Sequence, residues 1–75
     1  MPITSVIVEI KDGSSEKVLA HLARMPQVSV YGMKDSQIVT VIEDSAPAAV
    51  DAVVLQISGL EEVIGVYPVY VGGHE

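Results

Sequence analysis

One unit is spelled twice in this chain, and that repetition limits the folds open to it. Val6-Ile7-Val8-Glu9, a helical stretch ending at Met25 and Val28-Ser29-Val30 make the first copy. Val41-Ile42-Glu43, a helical stretch ending at Ile57 and Val63-Ile64-Gly65-Val66 make the second. In the first copy Val6, Val8 and Ile10 alternate with Ser5, Ile7 and Glu9, the period of two of a strand with one apolar and one mixed face. Asp12-Gly13-Ser14 breaks that pattern, and Ser14 or Ser15 is placed to cap a helix with Glu16 in its first turn. Val18, Leu19, Leu22 and Met25 recur at helical spacing until Pro26 stops the run. Val28 and Val30 then alternate with Ser29, Tyr31 and Met33 as a second strand.

Lys34-Asp35-Ser36 is a short turn into a third strand from Ile38 to Glu43, so these two strands form a hairpin. Asp44 or Ser45 is expected to cap the second helix, and Pro47 fits its first turn, where no amide donor is needed. Val50, Val53, Val54 and Ile57 form a core-facing stripe, ended by Gly59 with Leu60 placed for a contact beyond it. A last strand runs from Val63 to Val71. Pro68 within it lacks an amide donor and so belongs at a sheet edge. Two split βαβ units of this kind predict an α+β, ferredoxin-like βαββαβ two-layer sandwich over residues 1–75 as a single domain. Its antiparallel four-stranded sheet has the first and third strands in the centre and two helices on one face.

Composition narrows the function. Hydrophobic residues make up 49% of the chain and charged residues 19%, the balance of a folded domain. The net charge is −6, and Lys11, Lys17, Arg24 and Lys34 are scattered, which argues against nucleic acid as a partner and in favour of a cationic one. With no cysteine, thiolate metal sites, iron–sulfur ligation and thiol catalysis are out of reach. No apolar run is long enough to span a membrane, and Met1-Pro2-Ile3-Thr4-Ser5 does not open a secretory signal. The expectation is a cytoplasmic protein without a cofactor or metal.

The informative feature is a surplus of apolar residues for one buried face. With Val6, Val8 and Ile10 turned to the helices, Ser5, Ile7 and Glu9 face out; on the second strand Ser29, Tyr31 and Met33 do. On the third strand, Ile38, Thr40 and Ile42 compete with Val39 and Val41 for the core, and whichever set loses leaves branched side chains exposed. An outer face of an ordinary two-layer domain is polar; an apolar one marks a partner surface. Either a homodimer formed through the sheet or a platform for an apolar, helical peptide would use it. Glu9 and Glu43 bracket the patch, with Asp35 and Asp44 near the strand ends, which suits an apolar ligand with a positive end.

Catalytic and metal sites fare poorly. His21 has no convergent ligands at useful spacing, and His74 lies in a Gly-Gly-His-Glu tail. Glu43-Asp44 and Glu61-Glu62 are adjacent acids pointing different ways, and Ser14-Ser15 has no activating base. Gly72-Gly73 precedes no helix and is no phosphate cradle. A copper-chaperone reading needs a Cys-x-x-Cys, an RNA-binding reading needs aromatics on the central strands, and an acylphosphatase reading needs an asparagine; none is present. The chain does not read as an enzyme.

Segments along the whole chain resemble the NapD family: Ile3-Thr4-Ser5-Val6-Ile7-Val8, Met25-Pro26-Gln27-Val28-Ser29-Val30-Tyr31, Ser36-Gln37-Ile38-Val39-Thr40-Val41-Ile42-Glu43 and Leu60-Glu61-Glu62-Val63-Ile64-Gly65-Val66. Gln27 stands where the family often has glycine, and Val69-Tyr70-Val71-Gly72-Gly73-His74 replaces its Val-Tyr-His run. The resemblance implies a cytoplasmic chaperone that binds the twin-arginine signal peptide of a periplasmic nitrate reductase catalytic subunit and delays export until the molybdenum cofactor is inserted. It implies a helical peptide on the sheet face away from the helices. The residues expected there are Ser5, Ile7, Glu9, Tyr31, Met33, Val39, Val41 and Glu43. The alternative is an Lrp/AsnC-like or ACT-like regulatory domain that senses a small molecule and dimerises through its sheet.

Overall fold

The computed structural model describes residues 3–44 and 46–69. The elements follow the order β1 (Ile3–Ile10), α1 (Ser15–Ala23), β2 (Val28–Lys34), β3 (Gln37–Glu43), α2 (Pro47–Ser58) and β4 (Val63–Pro68). They form a four-stranded antiparallel sheet in the order β2-β3-β1-β4. This is the ferredoxin-like α+β arrangement, with β1 and β3 central and the proline-bearing β4 at an edge.

One core joins the layers. Val6, Val8 and Ile10 of β1, Ile38 and Ile42 of β3 and Val63 of β4 meet Val18 and Leu22 of α1 and Val50, Val53 and Ile57 of α2. All the sheet residues in this cluster lie on one face, so both helices cover that face. Thr40 joins them fully buried, its hydroxyl donating only a long 3.4 Å bond to the carbonyl of Ile38.

The hairpin turn between β2 and β3 is two residues long, and Asp35 takes a φ of +56°, a left-handed conformation that aspartate tolerates. The helix ends depart from the sequence expectations. Ser14 does stand at the N-cap of α1, but its hydroxyl donates backwards to the carbonyl of Lys11 and caps no amide. Helix α1 ends at Ala23, with Met25 packed on the core beyond it. Ala46 is the N-cap of α2, not Asp44; the Asp44 carboxylate accepts from the Ala46 amide at 3.0 Å and so braces the turn before the helix. Gly59 ends α2 in a right-handed conformation, φ −84°, without the left-handed turn glycine usually supplies there. The final strand stops at Pro68; Ser45, Val71 and the Gly72-Gly73-His74 tail lie outside the described residues.

Candidate functional site

The face of the sheet away from the helices carries the residues that alternation sends outward, and cross-strand pairing sets them in rows, since paired residues share a face. Ser5, Ile7 and Glu9 of β1 pair with Val41, Val39 and Gln37 of β3. On one side Val41, Val39 and Gln37 pair with Ser29, Gly32 and Lys34 of β2. On the other, Ile7 and Glu9 pair with Tyr67 and Gly65 of β4. The contest on β3 is therefore settled: Ile38, Thr40 and Ile42 are buried, and Val39 and Val41 face out. The parity of the strand explains this. Val39 and Val41 share a face with Gln37 and Glu43, so burying them would drag an amide and a carboxylate into the core.

An apolar band thus crosses all four strands, from Tyr31 through Val39 and Ile7 to Tyr67. Tyr31 is the extra residue of a bulge in β2, where the register shifts between Val30 and Gly32. It follows the core-side Val30, so alternation puts it on the open side, 74% exposed. The bulge has a second consequence, which corrects the sequence reading. Beyond it, Met33 pairs with the buried Ile38 and so lies on the helix side of the sheet, half exposed at the edge, rather than on the open face with Tyr31.

Strand β4 holds the matching irregularity. Its register against β1 shifts between Glu9 and Ile10, which leaves Ile64 as an extra residue before Gly65. Ile64, 60% exposed, and Tyr67, 50% exposed, consequently face outward, and neither was in the expected set. A signal for both edges was available: Gly32 and Gly65 lie inside strands, where glycine marks a bulge or a close approach. At Gly65 it marks both, because a Cβ there would lie 2.6 Å from the hydroxyl oxygen of Tyr67.

Charge frames the band. Glu9 pairs with Gln37 at one end of β3, and Glu43 lies at the other end of that strand, about 20 Å away at ordinary strand rise. That length matches about 13 residues of α-helix. Lys34 sits at the β2 margin of the Glu9 row. Asp44 is engaged locally: besides the Ala46 amide it accepts from the Gln27 side-chain amide at 3.5 Å. Away from this face, a shallow depression of about 370 Å³ lies between α1 and the approach to β4, lined by Lys17, Ala20, His21, Arg24 and Glu62. Among the described residues, no three His, Asp or Glu side chains gather as a metal site, and no helix is long and apolar enough to cross a membrane. A sheet face that none of the described residues covers, with an apolar middle and a carboxylate towards each end, offers adhesion and charge recognition.

Comparison with known proteins bears on family and fold. Residues 1–72 match the sequence profile of the NapD protein family. Among curated proteins, none matches. The fold is similar to the solution structure of the E. coli Tat proofreading chaperone protein NapD, with a TM-score of 0.85 at 20% identity, over 99% of this chain and 80% of that one.

Proposed function

The chain belongs to the NapD family, and from that premise we propose that it is a Tat proofreading chaperone. Its client is the twin-arginine signal peptide of a periplasmic nitrate reductase catalytic subunit, held in the cytoplasm until the molybdenum cofactor is in place. The observation that carries this reading is the apolar band across a sheet face left open by the described residues, with Glu9 and Glu43 towards its ends. A signal peptide pairs an apolar helical run with adjacent arginines, and that run and those charges fit the band and the acids respectively. Ile7, Val39, Val41, Tyr31, Ile64 and Tyr67 supply apolar contact; Ser5 and Ser29 leave low ground on which a helix can lie close. The net charge of −6 steers a cationic peptide towards the protein.

Calorimetric titration of the intact chain tests this, with a synthetic peptide carrying two consecutive arginines followed by an apolar helical run. The expected result is one-site binding with micromolar or tighter affinity, about −8 kcal/mol or better. It should weaken as salt rises, since exposed charges are screened beyond ~10 Å at 0.1 M. Absence of both heat and NMR shift changes on the sheet would overturn the proposal. So would a stable dimer that buries the band and excludes the peptide, read by sedimentation equilibrium.

A further inference from the structure

Gly65 and Tyr67 form an arrangement that apolar adhesion does not require. A Cβ at Gly65 would lie 2.6 Å from the Tyr67 hydroxyl oxygen, 2.9 Å from Cζ and 3.2 Å from Cε2. The ring therefore leans back along β4 and occupies the space a side chain at 65 would need. Tyr67 itself pairs with Ile7, whereas Gly65 pairs with Glu9. Leaning over Gly65 carries the ring from the Ile7 row to the Glu9 row, and its hydroxyl end comes to lie over position 65, which is paired across the strands with Glu9. Directly opposed positions on neighbouring strands are about 5 Å apart at Cβ, within reach of a single planar cation. Half of Tyr67 stays exposed, so the ring is open to solvent.

We propose that Tyr67, laid over Gly65 beside Glu9, makes an arginine-selective subsite, in which a guanidinium stacks on the ring while its N–H groups donate to the Glu9 carboxylate. The inference rests on the peptide-binding reading and names the chemical group that one end of the site selects. Guanidinium is planar and weakly hydrated, so it can lie on an aromatic face and still present a fork of donors; the compact, strongly hydrated ammonium of lysine does this poorly. The two acids of the face are then not equivalent. Among the described residues Glu43 pairs with Ile3 on β1, and none of them sets an aromatic ring beside it as Gly65 and Tyr67 do beside Glu9, so that end has less to tell arginine from lysine.

The test uses the intact chain and two synthetic peptides, one with two consecutive arginines before an apolar run and one with both replaced by lysine. Calorimetry gives the affinity ratio between them. The unsubstituted chain should prefer the arginine peptide by about tenfold, within the range of a partly desolvated cation–π contact. Tyr67→Leu should bring the ratio near one while the lysine peptide binds as before, and Tyr67→Phe should retain the preference. Gly65→Ala, which pushes the ring off its seat, should lower the ratio with the tyrosine still present. Thermal unfolding of each variant confirms that the fold is kept. An unsubstituted chain that binds both peptides equally, or a Tyr67→Leu variant that keeps the full ratio, refutes the subsite alone. Binding of neither peptide refutes the peptide-binding reading and the subsite with it.

Discussion

Two neighbours on β3, Ile38 and Val39, should respond to the same substitution in opposite ways. Ile38 is 0% exposed within the core. Ile38→Ala removes buried carbons from a packed site, which costs about 2–5 kcal/mol. A chain of 75 residues has about 4–11 kcal/mol to lose at ordinary stability per residue. With a urea dependence near 1 kcal/mol/M, the midpoint falls by about 2 M or more. Val39 points the other way and is 39% exposed. Val39→Ala removes two carbons that are only partly shielded, so at ~0.8 kcal/mol per fully buried carbon the fold loses about 1 kcal/mol. A docked peptide would shield the remainder, about 0.6 kcal/mol, and the variant should bind about threefold more weakly. Urea unfolding at constant slope reads the first quantity and peptide calorimetry the second. If Val39→Ala proves the more damaging to stability, β3 runs with its other face inward, and the platform described for peptide binding does not exist.

The bulge in β2 separates Tyr31 from Met33, so Tyr31→Ala should weaken peptide binding severalfold, while Met33→Ala should leave the affinity within about twofold, as calorimetry will show. Thr40 is buried with only a long hydrogen bond to the Ile38 carbonyl, and Thr40→Val should raise stability by up to about 1 kcal/mol in urea unfolding; a loss larger than that would mean the hydroxyl is better satisfied than its 3.4 Å contact indicates. Gly59 has an ordinary right-handed φ, and an added Cβ would meet the Leu55 carbonyl oxygen at 3.4 Å, an ordinary contact. Gly59→Ala should therefore stabilise by about 0.4–1 kcal/mol through the unfolded chain, a gain visible as a higher melting temperature.

The order of the elements, the inward set Val6, Val8 and Ile10, the stripe of α2 and the edge position of the strand holding Pro68 all follow from the residues themselves. Each depends on local periodicity or on a missing amide, and these act within a few residues. The resemblance to the NapD family was likewise legible in the strand segments, and the profile match over residues 1–72 agrees with it. The buried face of β3 was legible in principle too, because Gln37 and Glu43 share the parity of Val39 and Val41.

The edge strands are different. Strict alternation puts Tyr31 and Met33 on one face, and Val63 on the same face as Tyr67, yet in the folded sheet each pair is split. A bulge is a relation between two strands: it exists only where one chain places two residues opposite a single residue of its partner, and every side chain beyond it changes sides. Only the assembled sheet could therefore turn Met33 towards the helices, turn Tyr67 outward and bring its ring across Gly65 towards Glu9. The residues along one strand set which positions are apolar, and pairing between strands decided which of them face outward.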